Sequence, residues 1–316
     1  LPRPPNVFAG PYVDRVAHLR KDEAWLRSAL AGPDALVVPV WQSKILLRRT
    51  GTGELAAAFV AGSRVEPGEP VLLGQLEGKT YFALEVEVAE AALGAVDEGG
   101  AQFEDLRVAG GLLDARQAGL LAYARAMLYW QQRHRYCGVC GAATQRTSAG
   151  HVMRCTNAAC ATDHFPRLDP AIIVLVSDGE RALLGRQASW PQGRYSTIAG
   201  FVEPGESLED AVAREVLEET GVRIDAAEYH SSQPWPFPSS LMIGYSAVAD
   251  GSQVPHGDEE LEDARWFTRA EIASGFPGLP PPQSVSFRLI EDWYDAGSPV
   301  RLRDTPGLKL WGSARK

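Results

Sequence analysis

The stretch GFVEPGESLEDAVAREVLEETGV, residues 200–222, constrains this chain more than any other part of it. Ser207 can open a helix there, and Asp210 three residues later completes a capping-box pattern. Gly221 stands just past the helix end, the usual place for a stop. Leu208, Val212 and Val216 fall four apart and form the buried stripe. Glu215, Glu218 and Glu219 are spaced by three and four, so their side chains share one face. Neighbouring like charges there repel by roughly a few tenths of a kcal/mol per pair. They also sit in the last turns, where the helix dipole disfavours anions. A hard divalent cation, Mg²⁺ or Mn²⁺, resolves both problems through carboxylate oxygens. Arg214 precedes Glu215 and lies four before Glu218, so it can orient a carboxylate by a bidentate contact. A lone acidic pair would read as a solvated helix face; the fixed letters around this one argue otherwise.

The surrounding pattern gives the fold class. AIIVLVSD (171–178) is a nearly continuous apolar run, expected of a strand buried on both sides, and RALLGRQ reads as its hairpin partner. Strands, then the acidic helix, then a strand at LMIGYSAVAD and a helix at SVSFRLIEDWYDAG predict an α/β (α+β) sandwich. Upstream, LVVPVW, KILLRR and TYFALEVEV read as strands, and DEAWLRSAL as a short helix. A longer helix runs from Asp114 to Gln131, with Leu120, Leu121, Ala124 and Leu128 on its apolar face. Residues 1–132 are expected to form an N-terminal α/β domain, 133–165 a small metal module and 166–316 the main domain. The N-terminal part carries no motif that points to chemistry, and no internal repeat is evident.

The formal net charge is −9, which argues against gripping long nucleic acid through phosphates and suits a site that gathers carboxylates around cations. No apolar run approaches the roughly 18 residues of a membrane helix, and LPRPPNVFAGPYVDR lacks a signal-peptide core. A cytoplasmic location is expected. All four cysteines lie between positions 137 and 160. Cys137 and Cys140 in CGVC, with Cys155 and Cys160 in CTNAAC, read as a structural Zn²⁺ site in a zinc ribbon. Four thiolates leave no open position for catalysis. The wider spacing of the second cysteine pair leaves room for His151 or His164 to substitute for Cys160 as a ligand, but both read as ordinary surface histidines. The ribbon is expected to brace the junction between the flanking domains.

Gly200, Glu206, Arg214, Glu215, Val216, Glu218, Glu219, Gly221 and Val222 match the signature of the Nudix hydrolases, which this chain therefore resembles. The resemblance implies an α/β/α sandwich that hydrolyses a nucleoside diphosphate linked to another group. It implies metals held by Glu215, Glu218, Glu219 and the backbone carbonyl of Ala199. Glu219 would position or deprotonate the attacking water, as metal-assisted phosphoryl chemistry requires.

SQPWPFPSS (232–240) reads as a stiff extended loop whose aromatics could wall a planar ring. It also matches the signature of the NADH pyrophosphatase branch of the Nudix family. That resemblance implies that Gln233, Pro234, Trp235, Pro236, Phe237, Pro238, Ser239 and Ser240 line the dinucleotide site. It further places Phe165, Phe201 and Ser286 against substrate and Glu260 on metal, and it implies a homodimer. No GxGxxG turn follows a strand, so a nicotinamide dinucleotide would be cut here, not used as a redox cofactor. The implied activity is hydrolysis of NADH, and of NAD⁺, to nicotinamide mononucleotide and AMP. The same cleavage would remove an NAD cap from an RNA 5′ end. A non-catalytic nucleotide sensor is the alternative of another class, though such a protein could dispense with the glutamates that this chain keeps.

Overall fold

The computed structural model describes residues 4–65, 69–96, 100–257 and 260–311. The chain divides into two compact units, residues 1–168 with 234–239, and residues 169–233 with 240–316.

The first unit opens with α1 (Glu23–Ala31), capped by Asp22, and β1 (Ala35–Trp41), β2 (Lys44–Arg49), β3 (Leu55–Ala57) and β4 (Val60–Ala61). β5 (Val71–Leu76), β6 (Lys79–Glu85), α2 (Ala89–Gly94), β7 (Gln102–Glu104), α3 (Leu106–Ala109) and α4 (Ala115–Arg133) follow. The sheet order is β3-β2-β1-β6-β5, with β4 on β1 and β7 on β2. α4 begins at Asp114, whose carboxylate accepts from the Arg116 N–H, and buries Leu120, Leu121, Ala124 and Leu128 in the core. A three-stranded ribbon of β8 (Thr144–Thr147), β9 (Val152–Cys155) and β10 (Asp163–His164) closes the unit.

The second unit contains β11 (Asp169–Ser177), β12 (Arg181–Arg186), β13 (Ile198–Phe201), α5 (Leu208–Thr220), β14 (Ile224–Trp235) and β15 (Ser240–Ala249). β16 (Asp263–Thr268), α6 (Arg269–Ala273) and α7 (Val285–Ala296) complete it. The sheet order is β14-β15-β11-β12-β16, with β13 on β11. β11 is central and pairs parallel with β15 from Asp169↔Ser240 to Ser177↔Val248. Its apolar run is buried because α5 residues Val212 and Val216 pack with Ile172, Val174 and Val176 of one face, while α7 residues Phe287, Leu289 and Ile290 pack with Ile173 and Leu175 of the other. These are the two helical layers of the expected sandwich.

The two sheets follow one plan. In each, the first strand pairs antiparallel with the second (β1 with β2, β11 with β12) and parallel with a later one (β6, β15). A short strand joins that first strand antiparallel (β4, β13), and a long helix comes late (α4, α7). The expectation of no internal repeat is therefore corrected. The sequence carries a trace of it: VEPGE occurs at 65–69 and again at 202–206. The second copy runs on into Ser207 and α5, whereas the first meets Pro70 and passes directly to β5 at Val71. Among the described residues no acidic helix follows the first copy, so the feature by which it could be recognised is missing there.

Candidate active site

α5 is built as its sequence dictates. The Ser207 hydroxyl accepts from the Asp210 N–H, and the Asp210 carboxylate accepts from the Ser207 N–H at 3.1 Å. Gly221 ends the helix at φ 69°, and its N–H donates to Leu217 O at 2.8 Å. With Ala211, Val212 and Val216 fully buried, the helix cannot rotate, so its acidic face has a fixed direction.

Arg214 organises that face. Its Nε and Nη2 grip both oxygens of Glu206, at 3.0 and 2.6 Å. Nη1 reaches Glu215 at 2.9 Å and Glu218 at 3.0 Å, and Nη2 also donates to Phe201 O at 3.0 Å. The bidentate partner is thus Glu206, eight residues before the arginine, while Glu215 and Glu218 each lend one oxygen. The Arg214 hydrogen bonds, helped by the Glu203 N–H, draw the Glu206 carboxyl down to about 2. Glu206 in turn raises Arg214 above its usual value. A fixed cation between the two helix-face carboxylates offsets the repulsion that the sequence implies.

Glu215 is half-buried, and burial raises its pKa against the pull of Arg214; the nearby charges of Glu218 and Glu260 push the same way. Glu260 therefore belongs to the same electrostatic neighbourhood. Glu219 is only 6% exposed. Ala199 lies on β13 opposite Ile173, one residue before Gly200. Among the described residues, however, the box carboxylates are not gathered into one tight ligand cluster. Hard oxygens alone make up the set, which suits a hard divalent cation chemically.

The other site candidates divide by what they touch. Phe201 is 59% exposed beside the box, and its ring is open to a planar partner. Phe165, in the first unit, is also exposed. Ser286 is buried on α7 and bonded to Ser196 Oγ at 2.9 Å and Thr197 Oγ1 at 2.8 Å, so it steadies the approach to β13. Sequence reasoning missed Ser196 and Thr197.

The SQPWPFPSS segment departs from a purely extended loop. Its first half finishes β14, a sheet edge where proline costs no ladder bond, and 236–239 form the hairpin turn with a cis Phe237–Pro238 bond. Gln233 is fully buried: its Nε2 donates to Gln283 O and its Oε1 accepts from the Val285 N–H, both at 2.8 Å. Trp235 and Phe237 join the first unit's core. Phe237, 8% exposed, meets Phe8 and Trp235 at centroid distances of 5.6 and 5.1 Å, and the guanidinium carbons of Arg107 and Arg125 lie 5.1 and 4.9 Å from its centroid. A wall for a planar ring was the expectation at Phe237; its ring is occupied by these neighbours. Ser240 is buried at the start of β15, Ser239 and Pro234 are half-buried, Pro236 is buried and Pro238 is exposed.

In the ribbon, the sulfurs of Cys137, Cys140, Cys155 and Cys160 all lie within 4.8 Å of one another, as one tetrahedral ion requires. Hydrogen bonds from Thr162 draw Cys160 down to about 6, whereas burial pushes Cys155 up to about 12. His164 Nε2 lies 3.3 Å from Cys137 Sγ. His151 is not a surface residue: it is buried, with Nε2 2.7 Å from Leu72 O.

Comparison with known proteins accounts for this architecture. The NUDIX domain model matches residues 167–288. The chain is 37% identical over 297 residues to the NAD-capped RNA hydrolase NudC of Mycobacterium bovis (strain BCG / Pasteur 1173P2), covering 89% of this chain and 92% of that protein. The chain is a Nudix hydrolase of the NADH pyrophosphatase branch. The NudC of Stutzerimonas stutzeri (strain A1501) is 42% identical over 219 residues, 69% of this chain and 75% of that protein. Human NUDT12, also an NAD-capped RNA hydrolase, is 40% identical over 196 residues, but the match spans only 42% of its length. Residues 132–165 match the NADH pyrophosphatase zinc ribbon, so the four cysteines of this hydrolase form a structural zinc site. Residues 34–130 match an NADH pyrophosphatase-like rudimentary NUDIX domain. That explains the shared sheet plan and the shortened VEPGE copy. No described helix of this hydrolase is long and apolar enough to cross a membrane.

Proposed function

We propose that this chain hydrolyses the pyrophosphate bond of NADH, and of NAD⁺, to AMP and the nicotinamide mononucleotide, reduced from NADH and oxidised from NAD⁺, and that it removes NAD caps from RNA 5′ ends by the same cleavage. The observation that carries the reading is the intact acidic face of α5, with Glu215 and Glu218 tied to Arg214 and Glu219 buried beside them. The names of its relatives support the cap as a substrate.

Water adds across the P–O–P bridge, one phosphorus taking the hydroxyl and the other leaving as a phosphate. Bound at Glu215, Glu218, Glu219, Glu260 and the Ala199 carbonyl, Mg²⁺ or Mn²⁺ would neutralise the pyrophosphate and acidify the water. Glu219 accepts the water's proton, and its burial keeps that carboxylate away from competing solvent. Arg214 holds the neighbouring carboxylates in place. Phe201 stacks on a ring of the substrate, and the family resemblance assigns substrate-side roles to Phe165, to Gln233 to Ser240 and to Ser286. The functional parts are residues 1–132, 133–165 and 166–316, acting as a cytoplasmic homodimer.

The test is product analysis of NADH with Mg²⁺ or Mn²⁺. AMP and reduced nicotinamide mononucleotide are expected, and no AMP with either metal overturns the reading. Parallel turnover of free NADH and of an NAD-capped oligoribonucleotide ranks the two substrates.

A further inference from the structure

Residues 115–162 contain six arginines and no aspartate or glutamate, in a chain of net charge −9. This acid-free stretch covers α4 and most of the ribbon. Strand register decides which of its side chains share a face. Tyr136 bridges Ala143, Gln145 stands opposite Arg154, and Arg154 stands opposite Asp163. Side chains two apart on a strand point the same way, so Tyr136, Gln145 and Arg154 lie on one face of the ribbon. All three are exposed, Tyr136 by 71%.

This face adjoins a hollow of ≈ 650 Å³ lined by Arg154 together with Arg20, Lys21 and Arg146. Carboxylates are present too: Glu23 and Glu69 line the same hollow, and Asp163 lies 3.8 Å from Arg154. The four cationic side chains of the hollow, two of them from the acid-free stretch, outnumber its carboxylates Glu23, Glu69 and Asp163 by one, and the exposed ring of Tyr136 lies on the ribbon face that Arg154 shares with the hollow. A charged surface alone would fit any polyanion. An exposed tyrosine beside an arginine and a glutamine on a small sheet fits one with flat rings that are free to stack.

We propose that this ribbon face, Tyr136 with Gln145 and Arg154, binds single-stranded RNA, taking nucleotides of the body of a capped transcript. The inference rests on the reading of NAD-capped RNA as a substrate. Tyr136 stacks on a base, Gln145 hydrogen-bonds a base edge, and Arg154 meets the phosphate chain. The acidic balance of the whole chain is then no obstacle, because few phosphates are contacted.

The decisive comparison uses the full-length, zinc-loaded protein and the double variant Tyr136→Ser/Arg154→Gln. Fluorescence anisotropy with an uncapped 5′-monophosphate 12-mer of RNA reads binding without catalysis. The variant should bind about tenfold or more weakly, the scale of one lost base stack and one lost phosphate contact. KM for NAD-capped RNA should rise by a similar factor while kcat/KM for free NADH is unchanged. Equal RNA affinity of variant and parent overturns the inference, even if NADH is hydrolysed normally. Absence of hydrolysis by the parent protein overturns the functional reading instead and leaves the anisotropy result to stand alone. If the double variant loses zinc, the single variant Tyr136→Ser is used, since Tyr136 points outward, and unchanged RNA affinity there is equally fatal.

Discussion

A methyl group on Gly200 would lie 1.9 Å from the carboxyl carbon of Glu215. Real Cβ atoms do not sit that close to another heavy atom, so the Glu215 carboxylate can rest against β13 as it does only because position 200 is glycine. The box glycine and the box glutamate are one packing unit: the first leaves the space and the second fills it. Gly200→Ala forces the Glu215 carboxylate aside and strains its bond to Arg214. Turnover of NADH should fall by about 100-fold, the scale of a misplacement of about 1 Å in a catalytic group. Thermal melting should change by only a few degrees, because the displaced atoms end a flexible side chain. Full activity in Gly200→Ala would show that the Glu215 position is immaterial.

In the proposed mechanism Glu219 accepts the water's proton, and Glu219→Gln keeps the shape and removes that acceptor. Turnover should be nearly abolished, by a factor of about 10³ or more, the upper part of the range for general-base catalysis. Melting temperature and far-ultraviolet circular dichroism should match the parent. Substantial residual hydrolysis at saturating Mn²⁺ would move the base role to another residue.

Much of this is legible in the sequence because local rules and global fold agree. Ser207, Asp210 and Gly221 fix the ends of α5 by capping chemistry that operates over a few residues, and the fourfold spacing of Val212 and Val216 fixes its buried side. The zinc site is legible for the same reason, since paired cysteines have few other uses. What sequence pattern did not give is partner choice across distance. Glu206 as the bidentate partner of Arg214 spans a loop and two helical turns, and nothing local favours it over Glu218. Phe237 looks like a surface aromatic among prolines, yet its partners Phe8, Arg107 and Arg125 are far away in the chain. The VEPGE repeat was in plain view, but the helix that gives those letters a meaning is absent from the first copy.

His151 makes the first unit sensitive to acid. Burial foremost, against the hydrogen bond to Leu72 O, pushes this imidazole down from 6.5 to about 4. An unfolded chain takes up a proton near 6.5, whereas the folded one stays neutral until about 4. The stability this provides is complete above 6.5 and drains away as the pH falls toward 4, by roughly 3 kcal/mol in total. Urea midpoints measured between pH 7 and pH 4 should therefore fall more steeply for the parent than for His151→Asn. Parallel slopes would mean that other groups govern the acid transition.

Zinc should matter for folding and not for the chemical step. Four thiol sulfurs within 4.8 Å repel as thiolates unless an ion holds them, and Cys155 is buried. The purified, unchelated protein should contain one zinc per chain by elemental analysis. Cys155→Ser should lower that content and the melting temperature together. A zinc-free protein with unaltered melting would remove the structural role.

Phe237 offers a test between anchoring and substrate contact. The residue stands in the segment that the family resemblance assigns to the dinucleotide site, yet its ring is packed among Phe8, Trp235, Arg107 and Arg125. Removing a ring so enclosed leaves a cavity, and Phe237→Ala should cost about 3–5 kcal/mol of stability. Phe237→Leu refills part of the space and should recover much of that loss, because the packing is mainly apolar. If the ring acts as an anchor, the KM for NADH in Phe237→Leu should stay within about twofold of the parent's, far short of the loss of a base stack. A large rise in KM with unchanged melting would instead make Phe237 a substrate contact. Steady-state kinetics and thermal denaturation on the same preparations of the two variants separate these outcomes.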